Sequence, residues 1–147
     1  MGSIMPQWRR FEELSAAELY ALLRFRQDIF VVEQRSPYPD LDGLDLGAWH
    51  LRLLAEGALA GYLRVVPAAA EVRIGRVAVA PALRRRGLGR RLMAEALAFC
   101  RERHPARPVV LAAQLHLMRF YEGFGFSAVS APYDDFGLSH IDMARPP

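Results

Sequence analysis

The sequence contains no lysine, no asparagine and no threonine, and it has a single cysteine, Cys100. Without lysine there is no Walker A lysine, no Schiff base to pyridoxal phosphate and no lysine nucleophile. One cysteine excludes an internal disulfide and a thiolate zinc cluster. Its place in the apolar register of LMAEALAFC predicts a buried thiol rather than a nucleophile. No apolar run reaches the ~18–20 residues of a membrane span. The start MGSIMPQWRRFEELS has no signal-peptide core, and Pro6 replaces the Ser/Thr that N-myristoylation needs. The expectation is a cytoplasmic protein with no membrane partner, in which Met1 to Ile4 are compatible with a cloning remnant ahead of Met5.

What is abundant is alanine, leucine, arginine, glycine and proline, a bias that a GC-rich bacterial genome explains without appeal to function. The 147 residues, 52% hydrophobic and 24% charged, fit a single domain over 1–147 with a real core. Basic charge rests on 19 arginines against 16 acidic residues, for a net charge of +3. That excess permits nucleic-acid binding without arguing for it.

Hydrophobic periodicity gives the order β-α-loop-β-β-β-α-β-α-β-β. WRRFEELS reads as a short strand ending at Ser15, an N-cap with Glu18 in the capping-box position. Leu19, Leu22, Leu23, Phe25, Ile29 and Phe30 then follow helical spacing. RSPYPDLDGLDLGA is a long loop, and such loops in compact domains tend to be functional or disordered. WHLRLLAEGALAGYLRVV reads as a hairpin turning at Gly57, and EVRIGRVAV as a third strand closed by Pro81. The helix from Gly87 to Arg103 turns Leu88, Leu92, Met93, Ala96, Leu97 and Cys100 inward. PVVLAAQ is a buried strand, LHLMRFYEGFGF a short helix, and Phe126–Ser130 and HIDMA the last two strands. Strands interrupted by packed helices predict an α+β fold, a mixed central sheet with helices on both faces.

The stretch RVAVAPALRRRGLGRRLMAEAL carries the chemistry. Gly87 and Gly89 let a ligand approach the backbone. The helix that follows offers unpaired N–H groups and a positive dipole end. With arginine forks around it, this is an anion site suited to phosphate. Two other readings stay open: a solvated basic helix face, and a nucleic-acid patch. The helix supplies neither the polar readers nor the stacking aromatics that nucleic-acid binding would want.

Arg84-Arg85-Arg86-Gly87-Leu88-Gly89, preceded by the strand and proline of VAVAPALR, resembles the [Q/R]-x-x-G-x-[G/A] signature of the GNAT superfamily of N-acetyltransferases. QLHLMRFYEGFGF resembles its N-x-x-A-x-x-x-Y-x-x-x-G-F segment, with Gln114 in place of Asn and Leu117 in place of Ala. FRQDIFVVEQRSPYPDLDGLD, His50, IGRVAV and SHIDMA extend the likeness to the ElaA group of bacterial GNATs, over nearly the whole chain.

The resemblance implies a mostly antiparallel sheet of about 6–7 strands, splayed between the fourth and fifth to receive acetyl-CoA as co-substrate, with no metal. It implies that the backbone of Val77, Ala78 and Val79 pairs with the pantetheine arm. Arg84, Arg85, Arg86, Gly87, Leu88, Gly89 and Arg90 would surround the pyrophosphate, with Gln114 nearby. Tyr121 takes the position of the general acid; packing among Phe120, Phe124 and Phe126 is its structural alternative. The base is unassigned. Where many members read E-I-G-R-L-A-V, this chain has Arg73-Ile74-Gly75-Arg76-Val77-Ala78-Val79, and arginine does not deprotonate in proteins. Glu33 is the first candidate, then His140, with His116 and Glu71 behind them, and ordered water needs no residue at all.

Asp40, Asp42 and Asp45 in the long loop are expected either to form an acceptor wall for a cationic amine or to be a plain solvated turn; a calcium site lacks the twelfth-position glutamate. His50, Glu71 and Arg73 are further acceptor-side candidates. The expected activity is acetyl transfer to a primary amine of a small molecule or peptide, by a monomer or homodimer, without nucleic acid. Two alternatives remain. One is a non-catalytic acyl-CoA sensor, consistent with Arg73. The other is an acyl-homoserine-lactone-type synthase, which RQDIFVVEQ and the spaced aspartates echo but the short chain argues against.

Overall fold

A computed structural model describes residues 3–147. Met1 and Gly2 of the suggested N-terminal remnant lie outside the described residues, while Ile4 opens the first strand. The elements are β1 (Ile4–Arg10), α1 (Ala16–Arg26), β2 (Trp49–Ala55), β3 (Ala58–Pro67), β4 (Val72–Val79), α2 (Leu88–Arg103), β5 (Val109–Gln114), α3 (Met118–Glu122), β6 (Ser127–Ala128), β7 (Tyr133–Asp135) and β8 (Leu138–Arg145). The strands form one sheet in the order β1-β2-β3-β4-β5-β8-β6, with β7 paired to β8. Eight strands stand where about 6–7 were expected, and the expected Phe126–Ser130 strand shrinks to Ser127–Ala128.

All pairings are antiparallel except β4–β5, which is parallel and pairs only Val72 with Val109 and Arg73 with Val110. Beyond those positions β4 and β5 diverge, so the sheet carries a V-shaped opening between its fourth and fifth strands in space. A register shift opposite Tyr62/Arg64 accompanies it, and Arg76 there has φ +54. A left-handed arginine costs about 1–3 kcal/mol and persists only when its surroundings hold it. Here an ion pair to Asp40 Oδ1 at 2.8 Å and another to Asp42 Oδ2 at 3.2 Å hold it.

Alternation along β2 and β3 sorts the two faces of the sheet. Leu51, Leu53, Leu63 and Val65 face α2, whose inward set is the predicted Leu88, Leu92, Met93, Ala96, Leu97 and Cys100, joined by Phe99. The Cys100 thiol is buried and its pKa is pushed up to about 11, so it is inert at neutral pH. The other face carries His50, Arg52, Tyr62 and Arg64, all buried. Ser15 caps α1 through its hydroxyl, which accepts the Glu18 N–H at 3.1 Å, as predicted. Of the predicted apolar stripe only Leu22 and Ile29 are fully enclosed, and the residue at the heart of the packing is Arg26, with no exposure at all.

Arg26 is neutralised by the long loop. Its Nε donates to Asp40 Oδ2 at 3.0 Å, and one Nη donates to Asp45 Oδ1 at 2.7 Å. Arg64 reaches the same Asp45 oxygen at 3.0 Å and Asp42 Oδ1 at 2.9 Å. Burial opposes the ionisation of Asp42 and Asp45, but Arg64 on the first and Arg26 on the second outweigh it, and both carboxyls lie below their ordinary range. The loop is therefore folded onto the sheet by ion pairs, and its aspartates are neither a solvated turn nor an open row of charges.

α1 does not stop at Arg26. It runs on through a π-helical turn, Gln27–Glu33, closed by Gln34 N–H donating to Ile29 C=O at 3.2 Å. The wider turn brings Phe30, Glu33 and Gln34 to the opening between β4 and β5.

Candidate active site

The V opening holds a cleft of about 430 Å³ running from the start of α2 to Tyr121. At its outer end Gly87 stands just before α2 with φ +79, a conformation that favours glycine, and supplies no side-chain cap. The first helical turn closes with Arg91 N–H donating to Gly87 C=O at 3.1 Å, so the amides of Leu88, Gly89 and Arg90 precede the hydrogen-bonded ladder. A Cβ on Gly89 would meet only the Phe120 ring, at an ordinary 3.5 Å, and one on Gly87 would meet nothing within 4 Å. Internal packing does not require glycine at 89, and its lack of a side chain leaves the helix terminus open to a ligand. Arg84, Arg85 and Arg90 line this end, while Arg86 lies exposed in the turn before it. These residues fit a pyrophosphate: an uncapped helix terminus, a glycine cradle and guanidinium forks.

Val77, Ala78 and Val79 form one wall and Gln114 and Tyr121 the other. Glu33 and Arg84 meet across the cleft in a bidentate pair at 2.6 and 2.7 Å. Arg84 also donates from Nε to Val79 C=O at 3.3 Å. The Arg84 hydrogen bonds hold the Glu33 carboxyl below its ordinary pKa. A carboxylate so paired is a weak proton acceptor.

The inner end of the cleft joins a second cavity, of about 130 Å³, along the shared residues Phe30, Gln34, Val77, Gln114, Leu117 and Tyr121. The β7–β8 hairpin roofs it: Ser36 Oγ donates to Phe136 C=O at 2.9 Å, and the Tyr38 and Phe136 rings lie 5.8 Å apart. Tyr121 is 6% exposed and stands between the two spaces. Its ring meets Phe120 and Phe126 edge-on, and among the described residues its hydroxyl makes no hydrogen bond. Burial pushes its pKa up to about 12.

His140 lines the inner cavity from β8. Its Nδ1 lies 2.9 Å from Leu138 C=O, and a carbonyl only accepts, so Nδ1 carries the proton. In its neutral form the ring presents the Nε2 lone pair, and Nε2 makes no hydrogen bond among the described residues.

Other expected site residues sit elsewhere. His50 is wholly buried in β2, its Nε2 donating to Asp45 C=O at 2.9 Å and its Nδ1 accepting from the Tyr62 hydroxyl at 2.6 Å. Burial lowers its pKa against the pull of Asp45, and it serves the core rather than an acceptor. Glu71 and Arg73 pair at 3.4 Å at the closed end of β4 and line neither cavity. Asp40 and Asp42 are committed to arginines, as described. His116 lines the outer cleft. Sequence reasoning missed Asp135 and Phe136, which face the inner cavity from the β7–β8 hairpin, and the arginines that fold the loop.

Among the described residues no group of His, Cys, Asp or Glu is arranged to hold a metal ion, and no helix is long and apolar enough to cross a membrane.

Residues 44–146 match the family described as an acetyltransferase (GNAT) domain. The chain is 41% identical to the protein ElaA of Escherichia coli over 96% of its own length and 97% of that protein's. The crystal structure of Escherichia coli ElaA superposes with a TM-score of 0.92, covering 97% of this chain and 99% of that one. An acyl-CoA N-acyltransferase from Pseudomonas aeruginosa superposes with a TM-score of 0.93 at 40% identity, again covering 97% and 99%. A CoA-dependent acyl-homoserine lactone synthase shares the fold, with a TM-score of 0.82 at 18% identity over 97% of this chain and 82% of its own.

Proposed function

Since the chain belongs to the GNAT acetyltransferase family, as an acyl-CoA N-acyltransferase fold similar to ElaA, we propose that it moves an acetyl group from acetyl-CoA to a primary amine of a small molecule or peptide. The observation that carries this reading is the V opening of β4 and β5, with an uncapped helix terminus at one end and Tyr121 at the other. The amides of Leu88 to Arg90, with the Arg85 and Arg90 side chains, would hold the pyrophosphate, Arg84 being paired with Glu33, and the backbone of Val77 to Val79 the pantetheine arm. We place the protein in the cytoplasm, as a monomer or homodimer.

In the reaction the amine nitrogen bonds the thioester carbon, the carbon–sulfur bond breaks and its electron pair goes to sulfur. Tyr121 would donate a hydrogen bond to that sulfur. A phenol raised to about 12 does not surrender its proton outright to a thiolate whose conjugate acid lies near 8.5. Its service is to charge that develops in the transition state, and the proton that completes the thiol comes from the acceptor. His140 Nε2 would take that proton from the attacking nitrogen and pass it on to the departing sulfur, which leaves as the thiol. Glu33, tied to Arg84, is better read as part of the cofactor cleft than as the base.

Two substitutions separate those roles. His140→Gln is expected to lower kcat by about 100-fold, in the range of general-base catalysis. Glu33→Gln should leave kcat within about threefold and act instead on the KM for acetyl-CoA. Steady-state kinetics on both variants checks the assignment, and a larger kcat loss from Glu33→Gln would reverse it.

The test of the reading as a whole is an amine and peptide screen with acetyl-CoA, followed by thiol release, beside a calorimetric titration with acetyl-CoA. Binding with no turnover on any amine would favour the sensor, the reading that Arg73 in the family's acidic slot supports. Absence of binding would remove both.

A further inference from the structure

We propose that Asp135 selects the acceptor, and that the acceptor is a primary amine with no carboxylate beside it. This rests on the acetyl-transfer reading and goes further by naming the chemical class. Two charged side chains line the inner cavity, Arg76 and Asp135. Arg76 is spent. Its guanidinium pairs with Asp40 and Asp42 at 2.8 and 3.2 Å, donates to Asp40 C=O at 3.0 Å, and lies over the Tyr38 ring at 5.3 Å. Asp135 is not spent, since among the described residues neither of its oxygens takes a hydrogen bond or an ion pair.

Gln34 and Gln114 bring neutral amides to the wall, and the Ser36 and Tyr38 hydroxyls there have partners. Ser36 Oγ donates to Phe136 C=O, and the Tyr38 hydroxyl donates to Asp40 Oδ1 at 2.9 Å. His140, stacked on Tyr133 at 6.1 Å between ring centroids, offers a lone pair. Thus, among the described residues, the cavity presents one unpaired carboxylate and one proton acceptor, and no cation without a partner.

An ammonium entering this space meets a carboxylate that attracts it and an imidazole that takes its proton. An amino acid brings its own carboxylate within a bond or two of the ammonium, toward Asp135, with no free guanidinium to receive it. Like charges at such separations repel appreciably in a partly enclosed site. At about 130 Å³ the cavity admits an amine-bearing arm rather than folded chain. The class is therefore amino-acid amides, peptide N-termini and aliphatic amines, with free α-amino acids discriminated against.

The experiment compares matched pairs, leucine with leucine amide and alanine with alanine amide, in thiol release with acetyl-CoA, on the wild type and on Asp135→Asn. The amide should lead its acid by at least tenfold in kcat/KM. Because an amide's ammonium also loses its proton more readily, the deciding comparison is the variant. Asp135→Asn should raise the amide's KM several-fold, leave kcat and the calorimetric affinity for acetyl-CoA unchanged, and shrink the amide-to-acid ratio. A ratio near one in the wild type, or one that persists undiminished in Asp135→Asn, overturns the proposal while leaving acetyl transfer standing. Turnover of neither member of any pair, with acetyl-CoA bound, overturns both.

Discussion

Tyr121→Phe is expected to lower kcat for acetyl transfer by 100- to 1,000-fold, roughly 3–4 kcal/mol of transition-state stabilisation, with acetyl-CoA affinity unchanged. The ring is held edge-on by Phe120 and Phe126, and its hydroxyl makes no hydrogen bond among the described residues, so removing it disturbs no other polar contact. In that apolar setting a donor aimed at developing negative charge is worth far more than in water. The raised pKa adds a second observable. A phenol pushed up to about 12 stays protonated across the usual assay range, so the wild-type rate should show no downturn from this group below about pH 11. Stopped or continuous thiol release on both proteins, with calorimetry on each, checks the size of the loss and its assignment to kcat. Loss confined to KM would mean that Tyr121 serves packing alone.

Arg26→Ala is expected to destabilise the protein by about 3–5 kcal/mol, the cost of removing one partner from a buried ion network. Asp40 and Asp45, 9% and 7% exposed, would lose the guanidinium that joins them to α1, leaving Arg76 and Arg64 of the sheet as their remaining partners. For a chain of this size the shift amounts to roughly 10 °C in Tm, readable by thermal or urea unfolding. The same network sets an acid limit. Asp42 and Asp45 have folded-state pKa values below their unfolded ones, so their contribution is complete above about pH 4–5. It is lost as the pH falls below the unfolded value near 4 toward the lowered folded values. Stability should therefore fall on acidification in the wild type, and fall less steeply in Arg26→Ala.

The sequence made α2 legible because its 3.6-residue period is unbroken from Leu88 to Cys100, and it made the glycine turn legible because two glycines and a helix start have few other uses together. Arg26 was hidden. An arginine in a helical stripe reads as solvent-facing, and the carboxylates that make its burial affordable lie 14 and 19 positions away. The Glu33–Arg84 pair spans 51 positions, and no local pattern connects them. β7 is three residues between Pro132 and Phe136, too short to show alternation, and so Asp135 escaped notice as a residue facing the site.

The two paired positions that join β4 to β5 have a mechanical consequence. On one side lie β1 to β4, zipped along their length; on the other, β5 with β8 and its short partners. So thin a seam leaves the two sides of the sheet joined mainly by side chains of their shared core rather than by backbone hydrogen bonds, and an extended ligand lying in the gap would act as a removable extra strand. Acyl-CoA should then slow amide exchange in β5 and β8 as much as in the residues it touches, which makes the co-substrate a tie-rod of the fold during each turnover.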